Sequence, residues 1–222
     1  MNHEVNKRWL ILPIEVKARE LDGKLLLACE AACRGFGVLV GPSGFNKSKY
    51  YRYPKGIYFD KCLSPHKEEF LTYQVKTLGN KLVSLDEEGL LYISDASYIR
   101  TRISQELMKM SDLIFCWGHK QQTLLTGQLH EAEKLIRAGA PRVDIWRQSK
   151  RFYRTEIADL KRQFGKFILV SSNFGMCRDE FDIPQFVETK ARQNLAIVDD
   201  SASHLVERLK YFINVKNSFL EM

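Results

Sequence analysis

The sequence that decides the fold is residues 9–41, which read WLILPIEVKARELDGKLLLACEAACRGFGVLVG. The two ends of this stretch are apolar runs of strand length, and apolar side chains between them recur at helical spacing. Gly35 stands where a helix C-terminus favours glycine. A strand, a helix and a second strand in this order predict a parallel sheet with crossover helices.

The same alternation continues along the chain. Further strands are predicted at residues 56–59, 81–85, 112–117, 141–145 and 166–170, and helices at 65–78, 97–110, 124–138 and 149–164. A last amphipathic helix carries Leu205, Leu209, Phe212 and Ile213 on one face. We therefore expect an α/β protein with a Rossmann-like, doubly wound parallel sheet and flanking helices. Residues 1–165 would form that domain, and residues 166–222 an interdomain segment or the start of a second domain.

The composition is that of a globular protein, with 222 residues and 45% hydrophobic side chains. No apolar run reaches the roughly 18 residues of a membrane span, and the polar start does not resemble a signal peptide. A cytoplasmic protein is expected. The five cysteines form no CxxC pair, which indicates reduced thiols and no bound metal.

The net charge of +7 restricts the partners. A basic surface attracts nucleic acid, an anionic membrane face or a phosphorylated substrate. The charges are dispersed, and no nucleic-acid-binding motif or aromatic–basic stripe accompanies them. A phosphorylated or membrane-bound substrate, with peripheral contact to an anionic membrane, therefore fits better than nucleic acid.

Polar residues follow the C-terminal ends of several predicted strands, where ligands bind in open parallel sheets. They are Glu15, Arg19 and Glu20; the loop with Lys47; the run Asp86-Glu87-Glu88-Gly89; the segment with Gly118, His119 and Gln121; and Asn173. This convergence predicts a binding site more strongly than any single residue does.

The acidic run is the main catalytic candidate. Adjacent carboxylates beside a buried strand repel one another, so at least one should have a raised pKa, as a general base or acid requires. A carboxylate could instead attack a sugar carbon and form a covalent intermediate. The non-catalytic alternative is a solvated acidic turn or a helix N-terminal cap.

Each of the other candidate binding residues also has a structural explanation that involves no ligand. Glu15 with Arg19 and Glu20 could position a substrate or form an ordinary salt bridge at a helix start. Lys47 could reach an anionic group, although its loop lacks the ending of a nucleotide-hydrolysing phosphate loop. Gly118 permits close backbone approach, and His119 and Gln121 could meet a substrate, although a lone histidine at a strand end is more often structural. Arg142 and Asp144, after a rigid turn, could bind a substrate or bridge to each other.

Taken in order, these motifs resemble those of bacterial surface carbohydrate biosynthesis proteins with GT-B architecture, akin to transferases of sugar acids such as Kdo and sialic acid. The resemblance covers residues 9 to about 175. It rests on Leu12-Pro13 with Glu15, Arg19-Glu20, Asp22 with Lys24 to Ala28, Arg34-Gly35, Pro54 to Ile57, Asp86 to Gly89, Trp117-Gly118 with Gln121, Gly139 with Pro141-Arg142 and Asp144, and Asn173-Phe174.

The resemblance implies two Rossmann-like domains, with the acceptor bound by the N-terminal one and a nucleotide-activated donor mostly by the C-terminal one. In bacterial sialyltransferases an acidic-acidic-glycine motif supplies the base that deprotonates the acceptor hydroxyl, and Glu87-Glu88-Gly89 matches it. In retaining Kdo transferases an acidic residue is the nucleophile. Glu87 is the first candidate, followed by Glu88 and Asp86.

Two departures from the family bear on activity. The His-Pro pair that holds the donor nucleotide is missing, and the usual Gly-Asn-Pro-Arg turn is replaced by Gly139-Ala140-Pro141-Arg142. The chain is therefore expected to be the acceptor-side half, which needs a C-terminal domain or a partner chain for the donor. A CMP-linked donor with a single phosphate, and no DxD motif, imply no metal or other cofactor. The alternative is a glycan-binding or assembly half without turnover.

Overall fold

A computed structural model describes residues 8–43, 50–92, 94–129, 131–169, 185 and 202–220. Its centre is a six-stranded, all-parallel sheet in the order β2-β1-β3-β4-β5-β6. The strands are β1 (Trp9–Ile14), β2 (Gly37–Pro42), β3 (Ile57–Asp60), β4 (Lys81–Leu85), β5 (Leu113–Cys116) and β6 (Leu135–Arg137). The predicted α/β class with a Rossmann-like sheet is confirmed. The strand order reverses between β1 and β3, where ligands bind in such sheets.

Helices connect the strands. They are α1 (Lys17–Cys33), α2 (Asp95–Arg102), α3 (Gln105–Met110), α4 (His119–Thr126), α5 (Pro141–Arg147), α6 (Ser149–Phe152), α7 (Arg154–Phe164) and α8 (Ala202–Leu220). A π-helix spans Phe70–Lys76, and 3₁₀ turns span Tyr50–Arg52, Pro65–Lys67 and Ala132–Lys134.

Each face of the sheet carries its own apolar core, because successive strand residues point to opposite faces. Ile11, Tyr58 and Leu82 lie in the cluster that includes buried side chains of the π-helix and of α2 to α4. Leu10, Leu12 and Phe59 lie in the other cluster, with Ala31 of α1 and Val143 of α5. The doubly wound arrangement therefore buries both faces of the sheet.

The predicted elements between residues 124 and 145 are wrong. The helix predicted at 124–138 ends at Thr126, and residues 135–137 of that range form strand β6. The strand predicted at 141–145 is helix α5, with Pro141 in its first turn. Proline suits this position because the first amides of a helix have no intrahelical partner.

Four more predictions differ from the structure. The helix predicted at 65–78 consists of a 3₁₀ turn followed by the π-helix, and the helix predicted at 149–164 is divided into α6 and α7. The single helix predicted at 97–110 is interrupted, and Ser104 caps α3 by accepting a hydrogen bond from the backbone amide of Leu107 at 3.1 Å. The described part of the predicted strand at 166–170 is irregular, and Ile168 there is 92% exposed.

The chain divides into two compact units between Ala158 and Asp159, within α7. In the second unit α8 contains the predicted amphipathic stretch, in which Leu209 is buried and Phe212 is partly exposed. None of the described helices is both long and apolar enough to cross a membrane.

Helix α1 buries a different face from the one its apolar residues suggest. Its buried side chains include Glu20 and Lys24, whereas Leu25 and Cys29 are exposed. Leu25 and Cys29 instead line a cavity of about 440 Å³ between α1 and the segment from α5 to Tyr153. Charge pairing, rather than apolar burial alone, sets the orientation of α1.

Candidate functional site

The acidic run forms a tight turn immediately after β4, at the C-terminal edge of the sheet. The backbone amide of Glu87 donates to the carbonyl of Lys61 at 2.9 Å, which ties the run to the end of β3. Nε1 of Trp117 donates to the carbonyl of Asp86 at 2.6 Å, and the guanidinium of Arg142 donates to the carbonyl of Glu87. The main chain of the run is therefore held from three sides.

Two of the three carboxylates form ion pairs at hydrogen-bond distance. The Arg102 guanidinium donates to Asp86, which is buried, and its Nη1 lies 2.9 Å from Oε2 of Glu88. The other carboxylate oxygen of Glu88 lies 3.0 Å from Nη1 of Arg19. Glu88 is thus held between two guanidinium groups, with 41% of its side chain exposed.

Glu87 has a different environment. Its side chain is buried, and its nearest charged partner among the described residues is Nε of Arg142, 3.7 Å from Oε2, a distance beyond hydrogen bonding. Burial raises the pKa of the Glu87 carboxyl, although the positive charges of Lys24 and Arg142 oppose the shift. A buried carboxyl of raised pKa without a donor at hydrogen-bond distance is a stronger base than an ordinary carboxylate.

Glu20 has a structural role at the start of α1. Its two oxygens accept hydrogen bonds from the backbone amides of Glu15 at 2.9 Å and Val16 at 3.2 Å. These amides precede the helix and would otherwise have no intrahelical acceptor. The ammonium of Lys24, one turn later, lies 3.6 Å from Glu20 and donates to the carbonyl of Pro13. Burial lowers the pKa of Lys24 despite these contacts.

A second polar cluster lies where the strand order reverses. Nζ of Lys61 lies 2.9 Å from the Glu15 carboxylate, and Nζ of Lys67 lies 2.6 Å from that of Asp60. Burial alone would lower the pKa of Lys67, but the Asp60 carboxylate outweighs it and the pKa is raised. These four residues, with Pro13, Ser43 and Tyr58, line a cavity of about 10 Å³, enough for one water molecule.

Gln121 lies beside Gly89 of the acidic run and links the end of β5 to α2. Its Oε1 accepts from the backbone amide of Trp117 and its Nε2 donates to the hydroxyl of Tyr98, both at 2.7 Å. A Cβ at Gly89 would collide with Nε2 of Gln121 and lie 3.1 Å from Cδ1 of Trp117. Glycine is therefore required at position 89 for space.

The structure gathers most of the predicted residues at one edge. Glu15, Arg19, Glu20, Asp86, Glu87, Glu88 and Arg142 are linked by the contacts above, and Gln121 adjoins them. Gly118 has extended backbone with φ of −177°, and His119 is exposed at the start of α4. Asp144 is exposed in the first turn of α5. Lys47 and Asn173 lie outside the described residues.

Five residues of the site were missed at the sequence level: Asp60, Lys61, Lys67, Tyr98 and Arg102. Lys24 and Trp117 belong to the motifs that carry the resemblance, but no role was predicted for either. Lys61 follows β3 directly, so the rule that selected polar residues after strands could have found it. Lys24 and Arg102 lie within helices, and only the three-dimensional structure brings them to Glu20 and Asp86.

Within the described ranges, no group of three or more histidine, cysteine, aspartate or glutamate side chains could hold a metal ion. The fold and site define an α/β protein with a charged pocket at the C-terminal edge of a doubly wound sheet. Comparisons with known protein families, curated proteins and solved structures found no match.

Proposed function

We propose that this chain is the acceptor-side part of a cytoplasmic glycosyltransferase of GT-B architecture that acts in bacterial surface polysaccharide biosynthesis. It would transfer a sugar acid of the Kdo or sialic acid type from a CMP-linked donor to a glycan acceptor. The observation that carries the proposal is the buried Glu87 carboxyl, which has a raised pKa and lies after β4 at the edge where parallel sheets bind ligands.

In this proposal Glu87 is the base. Its carboxylate accepts the proton of an acceptor hydroxyl while the hydroxyl oxygen bonds to the anomeric carbon of the donor. The bond from that carbon to the CMP phosphate breaks, and CMP leaves with the electron pair. A raised pKa suits this role, because it makes the carboxylate a stronger base. Attack by the carboxylate on the sugar itself is the other assignment for Glu87.

Positive charge surrounds the acidic run. Arg19, Arg102 and Arg142 place three guanidinium groups around the acidic run. The net charge of +7 also favours peripheral attraction to an anionic membrane, where a lipid-linked acceptor would lie.

A non-catalytic glycan-binding half is the second candidate. Asp86 is paired with Arg102, and Glu88 is paired with Arg102 and Arg19. Paired carboxylates stabilise a turn without taking part in catalysis, and this favours the binding module. This module would bind the acceptor and leave donor binding and turnover to a partner chain.

A transfer assay separates the two candidates. The full chain, together with the C-terminal domain or partner chain that the main proposal requires for the donor, would be incubated with CMP-N-acetylneuraminate or CMP-Kdo and an oligosaccharide acceptor. Products would be measured by mass spectrometry. Under the main proposal Glu87→Gln lowers turnover by about 100-fold or more without loss of acceptor affinity. The exposed Glu133→Gln is the matched control and should leave turnover unchanged.

The outcomes are distinct. Acceptor binding without product, in both the original chain and Glu87→Gln, would favour the binding module. Full turnover by Glu87→Gln would exclude Glu87 as the base or nucleophile. If neither acceptor nor donor bound, both candidates would be wrong.

A further inference from the structure

We propose that the cavity beside α1 binds an aliphatic chain that carries an anionic head group, as in a lipid phosphate or a fatty acid. The cavity has a volume of about 440 Å³ and lies between α1 and the segment from α5 to Tyr153. Pockets for small molecules have volumes of about 300–1,000 Å³, so the space suffices for such a chain. The inference is independent of the proposed sugar transfer, because none of the residues assigned to that reaction lines the cavity.

The walls of the cavity are mainly apolar. Leu25, Leu26 and Cys29 lie on one face of α1, since residues three and four apart in a helix are neighbours. Ile145 and Phe152 line it from the other side. Leu25 is 43% exposed and Phe152 is 44% exposed, so these walls are in contact with solvent. Methylene groups that cover such apolar surface bind favourably because they remove it from water.

The polar groups of the cavity are already paired with each other. The hydroxyl of Tyr153 donates a hydrogen bond to the carboxylate of Asp22, and both residues line the cavity. Asp22 lies one helical turn before Leu25 and Leu26, so this pair is at the end of the cavity nearer the start of α1. A hydroxyl and a carboxylate that satisfy each other need no polar group from a ligand. The rest of the cavity therefore suits a hydrocarbon chain.

The charge beside the cavity selects the head group. Residues 144–154 contain four arginine or lysine residues and one aspartate. Arg147, Lys150 and Arg151 are exposed and lie in the chain between the wall residues Ile145 and Phe152. Within the described part of the chain, none of these three cations is paired with a carboxylate. Uncompensated cations next to an apolar cavity attract an anionic head group, and arginine binds phosphate or carboxylate with two parallel hydrogen bonds.

Isothermal titration calorimetry of the full chain tests the head group. The ligands are dodecyl phosphate, dodecanoate and dodecyltrimethylammonium, each below its critical micelle concentration. The two anionic amphiphiles should bind with a negative heat-capacity change, which is the sign of apolar burial. The cationic amphiphile has the same chain and should bind at least about tenfold more weakly. Tighter binding of dodecyl phosphate than of dodecanoate would assign the head group to a phosphate, and the reverse would assign it to a carboxylate.

The length of the chain tests the apolar walls. Decyl phosphate has two methylene groups fewer than dodecyl phosphate and should bind about tenfold more weakly, since each buried methylene changes the affinity about three- to fourfold. Inorganic phosphate, which has no chain, should not displace dodecyl phosphate. Equal affinities of the decyl and dodecyl compounds would show that the chain does not enter the cavity.

Variants of the walls and of the cations locate the site. Leu25→Glu places a carboxylate in the wall and should lower the affinity for dodecyl phosphate by at least about tenfold. Leu78→Glu is the matched control, because this exposed leucine follows the π-helix, which packs on the other face of the sheet. Lys150→Gln combined with Arg151→Gln should weaken binding of both anionic amphiphiles and leave dodecyltrimethylammonium binding unchanged or stronger. A general loss of structure would weaken the binding of all three.

Three results would overturn the inference. They are no binding of dodecyl phosphate, the same affinity for the anionic and cationic amphiphiles, and the same affinity in Leu25→Glu and the original chain. If no amphiphile binds and Leu25→Glu converts a dimer into a monomer in analytical ultracentrifugation, a second copy of the chain covers the cavity and the inference is wrong. A chain that binds the amphiphiles as described but transfers no sugar would retain this site and lose the proposed function.

Discussion

Gly89→Ala tests whether the acidic run is held by the packing described above. A methyl group at position 89 collides with the amide of Gln121, which is fixed by two hydrogen bonds of 2.7 Å. The amide can move only by weakening both bonds, each of which contributes about 1 kcal/mol. With the strain of an overpacked contact added, we expect Gly89→Ala to lower the free energy of unfolding by about 2–3 kcal/mol.

Urea denaturation followed by tryptophan fluorescence measures this change. Gly118→Ala is the matched control, because a Cβ there meets no atom within 4 Å and its backbone is extended. Its free energy of unfolding should change by less than about 0.5 kcal/mol. In a Gln121→Ala background, where the obstructing amide is gone, Gly89→Ala should cost less than about 1 kcal/mol. Equal costs in both backgrounds, or no cost in either, would refute the reasoning.

Substitutions at three other positions test the charges. Because burial raises the pKa of Glu87 above its ordinary 4.5, ionisation of this carboxyl lowers stability as the pH rises from 4.5 to the raised value. At pH 7, Glu87→Gln should therefore have a Tm equal to or higher than that of the original chain. Near pH 4 the two Tm values should be equal. A clearly lower Tm of the variant at pH 7 would contradict this reasoning. Asp112 has a pKa below its ordinary 3.8, because hydrogen bonds from two lysines and a backbone amide outweigh its partial burial. The ionised Asp112 therefore adds to the free energy of unfolding above pH 3.8, and this contribution is lost in stronger acid. Asp112→Asn should lower the free energy of unfolding by about 1–2 kcal/mol at pH 7 in urea titrations. In acid the variant and the original chain should be equally stable. Arg102→Ala leaves the buried Asp86 without its guanidinium and should lower the free energy of unfolding by about 2–4 kcal/mol, part of which Arg102→Lys should restore. Equal stability of all three Arg102 forms would show that this pair contributes nothing.

The sheet was largely predictable from the sequence, because buried parallel strands are short apolar runs with clear ends. The bounds predicted for β4, residues 81–85, match the structure. Strand β6 was missed because Leu135 and Ile136 continue the helical spacing of the residues before them. Pro141 suits a turn, a strand start or a first helical turn equally, and sequence spacing does not choose among these.

The sequence predicted where the candidate site lies on the sheet, but not which of its charged residues form ion pairs. Polar residues after strands identified the edge of the sheet, and with it Glu15 and the acidic run. Arg102 pairs with Asp86, and Lys24 pairs with Glu20. Both cations lie on helices whose orientation follows from the whole fold. The burial of Glu20 and Lys24 could not be predicted, because charged residues on a helix normally lie on its solvent-exposed face.

The unexpected orientation of α1 has a practical consequence for spectroscopy. Among the described cysteines, Cys62 and Cys116 are buried and Cys29 and Cys33 are exposed, and burial raises the pKa of the Cys116 thiol to about 11. Maleimide reagents need an accessible thiolate, so they should label α1 and leave the sheet unmodified. With Cys33 and Cys177 changed to serine, a fluorophore on Cys29 would occupy the cavity between α1 and the segment from α5 to Tyr153 and report on this contact during unfolding.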